Sequence, residues 1–100
     1  MKVLISQPMK GLSNEQIKLN RENVVKEFHK LGYEVLDSVF DFEDIEGVKT
    51  KSLFYLAKSL ELIAHHADAV YFMKGWENAR GCKVEHDCCI AYDVLVLYED

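Results

Sequence analysis

Ala69-Val70-Tyr71-Phe72-Met73 is a short apolar run, and the polar sequence Lys74-Gly75-Trp76-Glu77-Asn78-Ala79-Arg80-Gly81-Cys82-Lys83-Val84-Glu85-His86 follows it directly. An unbroken apolar run that contains β-branched and aromatic side chains predicts a strand buried on both faces. The segment after it changes from a polar, glycine-containing loop to a helical pattern. In open α/β sheets, ligands bind at such loops, outside the carboxyl ends of the strands.

The rest of the chain continues this alternation of strands and helices. Ser13 is expected to be the N-cap of the first helix, with Gln16 completing a capping box, and Gly32 is expected to end that helix. Residues 38–50 are acidic and irregular, and their aromatic side chains are expected either to cover a pocket or to cap one end of the core. The sequence predicts strands at residues 3–5, 33–37, 69–73 and 94–98, and helices at residues 14–31, 51–66 and 81–92.

This pattern predicts a single α/β domain over residues 1–100, built on a four-stranded parallel sheet that is covered by helices. Right-handed crossovers favour the spatial order 2-1-3-4. The first and third strands are then neighbours, and their helices leave toward opposite faces, so a crevice opens between their carboxyl ends. We expect two loops to meet at this crevice, residues 7–11 and residues 74–81.

Apolar stripes predict which side of each later helix faces the sheet. The second helix carries three further apolar residues outside its stripe, Phe54, Tyr55 and Leu62, and this surplus suggests a contact with another subunit. The stripe itself comprises Leu53, Leu56, Ala57, Leu60, Ile63 and Ala64. The third helix is expected to point Val84, Cys88, Ala91 and Tyr92 inward.

Composition narrows the class of protein. The net charge of −5 argues against a nucleic-acid polymer as partner, because such binding needs a clustered positive surface. A single phosphate needs only a helix N-terminus and one basic side chain. The apolar run near the N-terminus is too short for a signal peptide, and no run is long enough to span a membrane. Three cysteines, two of them adjacent, do not suit a disulfide framework, so a reduced, cytoplasmic protein is expected.

Histidines and cysteines do not form a recognisable metal site in this sequence. The spacing of His65, His66 and His86 relative to the cysteines fits no zinc template. Consecutive residues of a helix also point in different directions, so the sequence from His86 to Cys88 cannot converge on one ion. We expect no metal, and we expect Cys88 and Cys89 to be small core residues.

Glu85 is the main candidate for chemistry. It is expected in the first turns of the third helix, where the helix dipole would keep the carboxylate ionised. An ionised Glu in a shielded pocket is able to attack an anomeric carbon and form a glycosyl-enzyme ester. The alternative is structural, because acidic residues favour helix N-termini in any protein.

The two predicted loops contain the candidate ligand contacts. Lys10 and Gly11 fit either a grip on a small phosphate or sugar, or a plain turn between strand and helix. Trp76 suits stacking on a base, but it equally suits a hydrophobic lid over the end of the sheet. Arg80 suits a phosphate, or an ion pair with Glu77 at the surface.

Two motifs resemble those of a known family. Met1-Lys2-Val3-Leu4-Ile5-Ser6-Gln7-Pro8-Met9-Lys10-Gly11 resembles the opening K-V-x-I-S-x-P-M-x-G of the nucleoside 2-deoxyribosyltransferase-like proteins, a domain of unknown function (DUF4406). The segment from Lys74 to His86 is similar to the second signature of these proteins, G-W-E-x-S-R-G-x-x-x-E-H. The resemblance covers essentially the whole chain. It implies a flavodoxin-like three-layer fold, a homo-oligomer of two or more subunits and no separate cofactor.

The resemblance also implies an enzyme of the nucleoside deoxyribosyltransferase or deoxynucleotide N-glycosidase type. Glu85 occupies the position of the residue that attacks C1′ of the sugar, and the loop after the first strand would hold a 5′-phosphate. Two positions depart from the active relatives: Ala79 replaces a phosphate-binding Ser, and Ser59 lies where an Asp helps to orient the sugar or base. The residues expected to bind the nucleoside or nucleotide are Ser6, Gln7, Pro8, Met9, Lys10, Gly11, Trp76, Arg80 and Gly81.

Two functions therefore follow from the sequence. The first is cleavage or transfer at an N-glycosidic bond, with Glu85 as the nucleophile. The second is a non-catalytic module that binds a nucleotide or a nucleotide-derived ligand, which Ser59 and Ala79 favour because a nucleophile without its supporting groups loses much of its rate.

Overall fold

A computed structural model describes residues 1–9, 11–36 and 47–100 of the chain. Lys10 and most of the acidic segment at 38–50 therefore lie outside the described residues. The strands are β1 (Lys2–Ser6), β2 (Glu34–Leu36), β3 (Ala69–Phe72) and β4 (Leu95–Tyr98). The helices are α1 (Asn14–Lys30), α2 (Lys51–His66) and α3 (Arg80–Ala91), and a single 3₁₀ turn, Trp76–Asn78, precedes α3.

The four strands form one parallel sheet in the order β2-β1-β3-β4, which confirms the predicted α/β topology. Val3 is in register with Val35 on one side and with Ala69 on the other, so β1 is paired along both edges. Ala69 in turn pairs with Leu95 of β4. The carboxyl ends of β1 and β3 are thereby adjacent, as the right-handed crossovers require.

Alternate side chains of the strands point to opposite faces of the sheet and give it two cores. On the first face, Val3, Ile5 and Ala69 pack against Val24 and Phe28 of α1. On the second face, α2 and α3 supply the covering side chains, and the buried members of that cluster are Leu4, Ile63, Val70, Phe72 and Cys89. The fold is therefore three-layered, with helices on both faces.

The start of α1 follows the predicted capping chemistry. The Ser13 hydroxyl accepts a 3.1 Å hydrogen bond from the Gln16 backbone N–H, and the Gln16 side chain accepts one of 3.1 Å from the Ser13 backbone N–H. This reciprocal pair satisfies two of the N–H groups that a helix N-terminus leaves free. The helix ends at Lys30, and Gly32 follows in a left-handed conformation with φ of +80°.

The predicted inward face of α3 is wrong. Tyr92 is 80% exposed and Val84 is also exposed, whereas the buried residues are Cys82, Glu85 and Cys89. The buried side of α3 differs from the predicted one. It contains a carboxyl and two thiols, whereas the prediction relied on large apolar side chains. Hydrophobic periodicity cannot identify a core face of that composition.

The predicted face of α2 is correct only in part. Ile63 is buried, but Leu53 is 61% exposed, and Ala57 and Ala64 are exposed as well. Leu62, which lies outside the predicted stripe, packs against the second core instead. Among the described residues, no helix is long and apolar enough to cross a membrane.

Candidate functional site

The two loops predicted to meet at the end of the sheet do so. The Met73 backbone N–H donates a 3.1 Å hydrogen bond to the Ser6 carbonyl, where β1 and β3 end side by side. Just beyond it, Gly75 has a φ of +91°, and a Cβ atom at Gly75 would lie 3.6 Å from Pro8 Cγ. The turn after β3 therefore packs directly against the turn after β1.

A buried polar pair lies beneath this junction. Ser6 Oγ donates a 3.0 Å hydrogen bond to Glu85 Oε1, and both side chains are buried. Ser6 follows the second-face residue Leu4 by two positions, so its side chain points to the same face, toward α3. Glu85 is the sixth residue of α3 and is 7% exposed. The sequence identified Glu85 as the candidate nucleophile, but only the structure identifies Ser6 as its partner.

The expectation that the helix dipole keeps Glu85 ionised is wrong. Burial raises the pKa of the Glu85 carboxyl to about 7, and the Ser6 hydrogen bond only partly opposes this rise. The dipole acts within the first turn of a helix, and Glu85 lies beyond that turn. Loss of solvation therefore outweighs both the helix dipole and the Ser6 hydrogen bond in setting the pKa of Glu85.

Trp76 belongs to an aromatic cluster that includes the edge strand β4. Its ring stacks on His86 with centroids 4.2 Å apart, and it also packs on Phe72 at 5.4 Å. His86 Nε2 lies 2.6 Å from the Tyr98 hydroxyl, within hydrogen-bond distance. Trp76 therefore seals the end of the second core in this structure. The sequence did not predict the roles of His86 and Tyr98, because their contact depends on the position of β4 beside β3.

The remaining candidate residues have different surroundings. Gln7 is buried, and its Nε2 donates a 2.7 Å hydrogen bond to the Ile17 carbonyl in α1, so its side chain lies on the α1 face rather than beside Glu85. Arg80 begins α3 and is exposed. Met9 and Gly11 are exposed, whereas Pro8, Ser59, Ala79 and Gly81 have intermediate exposure.

The main cavity of the described residues lies on the α1 face of the sheet. It has a volume of about 700 Å³, and Gln7 and Pro8 are among its lining residues. Glu85, Trp76 and Arg80 do not line it. The sugar-sized hollow that the sequence placed beside Glu85 is therefore not this cavity, because the side chains of Ser6 and Gln7 point to opposite faces of the sheet.

All three cysteines are free thiols, and two of them are buried. Cys82 and Cys89 are buried, and Cys88 has intermediate exposure. Burial raises the pKa of the Cys89 thiol to about 11 and also raises that of Cys82, which leaves both thiols protonated and unreactive at neutral pH. Within the described ranges, no group of three or more His, Cys, Asp or Glu side chains is arranged to hold a metal ion.

The fold and this site define a small parallel α/β domain with a buried carboxyl beneath the ends of its two central strands. The chain belongs to the family described as Domain of unknown function (DUF4406), whose model matches residues 1–98. The family match confirms the DUF4406 part of the resemblance seen in the sequence. Searches of curated proteins and of solved structures found no significant match.

Proposed function

We propose that the protein cleaves or transfers at the N-glycosidic bond of a nucleoside or nucleotide, with the Glu85 carboxylate as the nucleophile. The observation that carries this proposal is the Ser6–Glu85 hydrogen bond, which holds one carboxyl oxygen at the carboxyl end of β1. Ligands of open α/β sheets bind at this end. The similarity of the two sequence motifs to deoxyribosyltransferase-like proteins supplies the reaction class.

In this reaction, a Glu85 oxygen attacks C1′ of the sugar. The C1′–N bond breaks, its electron pair leaves with the base, and the base takes a proton from solvent. The product is a glycosyl ester on Glu85. Water, or the nitrogen of a second base, then attacks C1′ and loses a proton, the ester bond breaks and the carboxylate is regenerated. The Ser6 hydroxyl would hold the carboxylate during both steps.

The burial of Glu85 sets a condition on this proposal. Only the ionised carboxylate is a nucleophile, so the proposed rate rises with pH through about 7, where Glu85 loses its proton. The substrate also has to reach a side chain that is 7% exposed. Catalysis therefore requires local opening around Glu85.

The test is a panel of deoxynucleosides and their 5′-monophosphates, with free base measured by chromatography. The wild-type chain is expected to release base from at least one of them, and Glu85→Gln is expected to release none. Glu77→Gln makes the same chemical change at an exposed site and should retain the activity. If the wild-type chain releases no base from any member of the panel, with and without acceptor bases, the enzymatic proposal is refuted.

A non-catalytic binding module is the second candidate, and the burial and high pKa of Glu85 favour it. A buried carboxyl that is hydrogen-bonded to Ser6 is suited to holding the end of β1 against α3. Calorimetry separates the candidates: saturable nucleotide binding without release of base supports the binding module. The absence of both binding and turnover refutes both candidates.

We also propose that the chain forms a homo-oligomer through α2. The exposed side of that helix presents Leu53, Ala57 and Ala64 at intervals of four and seven residues, a spacing that is typical of helix–helix contacts. Leu53→Lys is expected to reduce the mass measured by sedimentation. Leu19→Lys alters a similarly exposed leucine of α1 and should leave the mass unchanged. A monomeric wild-type chain refutes this proposal.

A further inference from the structure

The described residues cover the first face of the sheet only in part. Among them, the helical side chains of this core come from α1, which lies close to β2. Over β3 and β4, Tyr71 and Leu97 are half-buried, and Leu95 is 50% exposed. The cavity of about 700 Å³ lies between α1 and this uncovered region. Its volume is in the range of small-molecule sites.

The floor of this cavity is aromatic and apolar. Tyr71 lies against Phe28 of α1 in an edge-to-face arrangement, with ring centroids 4.9 Å apart, and both residues line the cavity. Val24 and Met73 add apolar surface to the same lining. The floor therefore suits the apolar body of a ligand, and the tyrosine ring adds the negative electrostatic surface that attracts cations.

The rim of the cavity is acidic. Among the described residues, Glu27 of α1 and Glu99 and Asp100 beyond β4 line it, and Lys74 is the one basic residue of the lining. Glu27 also forms an exposed ion pair with Lys30 at 3.5 Å, which weakens its field only modestly. The charges of Glu99 and Asp100 add to burial in raising the pKa of the Tyr71 phenol, so both carboxylates act on the tyrosine at the floor. This rim repels anions.

Gln7 lies just after β1 and lines the cavity on the α1 side. Its side chain is more than nine-tenths buried, and its Nε2 donates a 2.7 Å hydrogen bond to the Ile17 carbonyl of α1. This bond holds the amide against α1, so Gln7 forms a fixed part of the cavity wall.

We propose that this cavity binds a small organic cation with an apolar body, an aryl- or alkylammonium ion, whose body packs on Tyr71 and whose charge lies near Glu99 and Asp100. The site lies on the opposite face of the sheet from Glu85. It is therefore separate from the proposed glycosidic chemistry, and either proposal can fail without the other.

The test is a titration of the ¹⁵N-labelled full-length chain, followed by amide chemical shifts, with three probes of similar shape. Benzylammonium is cationic, benzyl alcohol is neutral and benzoate is anionic. We expect saturable shifts with benzylammonium at residues around the cavity, and at least about fivefold tighter binding than for benzyl alcohol, from the cation–ring and carboxylate attraction. Benzoate should not bind. Added salt should weaken the binding of benzylammonium only.

Variants then test the residues. Replacing Glu99 and Asp100 together by Gln and Asn should weaken benzylammonium binding about fivefold or more. The matched pair Glu77→Gln and Asp87→Asn removes the same total charge away from the cavity and should not change it. Tyr71→Phe should retain binding, whereas Tyr71→Leu should lose it. Equal binding of benzyl alcohol, binding of benzoate, shifts outside the cavity, or no saturable binding would each overturn the proposal.

Discussion

Ser6 Oγ and Glu85 Oε1 are joined by a 3.0 Å hydrogen bond, although 79 positions separate the two residues in the chain. The bond links the last residue of β1 to the middle of α3 inside the second core. A buried carboxyl with one neutral donor is poorly solvated in its charged form. The stability of the fold should therefore depend on the protonation of Glu85.

We expect stability to fall as pH rises toward neutrality, because of Glu85. Burial raises the pKa of Glu85 from its ordinary value of 4.5 to about 7 in the folded chain. Between these values the folded state binds the extra proton, so the contribution of Glu85 to stability is greatest below about pH 4.5 and is lost as pH rises through about 7. The full loss is on the order of 3 kcal/mol.

The measurement is the free energy of unfolding by urea at pH values from 4 to 8. Glu85→Gln keeps an acceptor for Ser6 but does not titrate, so the difference between the two proteins isolates Glu85. Between the acidic limit and pH values above about 7, the difference in unfolding free energy between the two proteins should change in favour of the variant, by an amount on the order of 3 kcal/mol. A difference that does not vary with pH would contradict the buried carboxyl.

Ser6→Ala should destabilise the chain and raise the pKa of Glu85 further. The substitution removes the only side-chain hydrogen bond that lowers this pKa, and it leaves Oε1 without that donor. We expect a cost of about 1–2 kcal/mol at neutral pH. The pH midpoint of the part of the unfolding free energy that depends on Glu85 should also rise.

The pH midpoint of the Glu85-dependent change in stability is the decisive measurement for Ser6. A cavity left by the lost hydroxyl would lower the stability without moving this midpoint. Ser52→Ala is the control, since Ser52 is exposed in α2. It should change stability by less than about 0.5 kcal/mol and leave the midpoint in place.

Gly75→Ala should destabilise the junction of the two loops. Gly75 has a φ of +91°, a conformation that costs an L-residue about 1–2 kcal/mol, and the new methyl group would lie at an ordinary contact distance of 3.6 Å from Pro8, so the backbone conformation alone accounts for the cost. Gly81→Ala is the contrast, because that glycine lies within α3 and its added methyl group meets nothing. Gly81→Ala should stabilise by about 0.5–1 kcal/mol. The measurement is the unfolding temperature of each variant. Equal effects of the two substitutions would contradict the left-handed conformation at Gly75.

The contact between His86 and Tyr98 should appear as a coupling energy. Tyr98→Phe removes the hydroxyl that lies 2.6 Å from His86 Nε2, at an expected cost of about 0.5–1.5 kcal/mol. A double-mutant cycle with His86→Phe should show that most of this cost disappears when the imidazole is absent. Tyr92→Phe is the control, because Tyr92 is largely exposed, and it should be neutral. Additive effects of Tyr98→Phe and His86→Phe would argue against the contact.

The strand order was predictable because each strand is an apolar run and each crossover is long enough to hold a helix. The right-handedness of crossovers between parallel strands then leaves few strand orders, and the favoured order makes β1 and β3 neighbours. The capping box at Ser13 and Gln16 was equally readable, since it depends only on residues three positions apart.

Other features depend on distant contacts and could not be predicted in this way. The inward side of α3 was misread because Glu85 and two cysteines occupy it, so apolar periodicity pointed to Val84 and Tyr92 instead. The charge of Glu85 follows from the depth of burial, which a helical position does not reveal. The cavity on the α1 face arises because one helix covers that face, and its lining combines α1 with residues that follow β3 and β4.

The strand order also has a consequence for biosynthesis. β1 is able to pair with β2 once Leu36 has left the ribosome, but its other edge has no partner until Phe72 has emerged, 36 residues later. At about 5–20 residues per second, that interval lasts roughly 2–7 s. During this interval the nascent chain displays an open edge on β1, and such an edge is where chaperones would bind and where mispairing between polysome neighbours would begin.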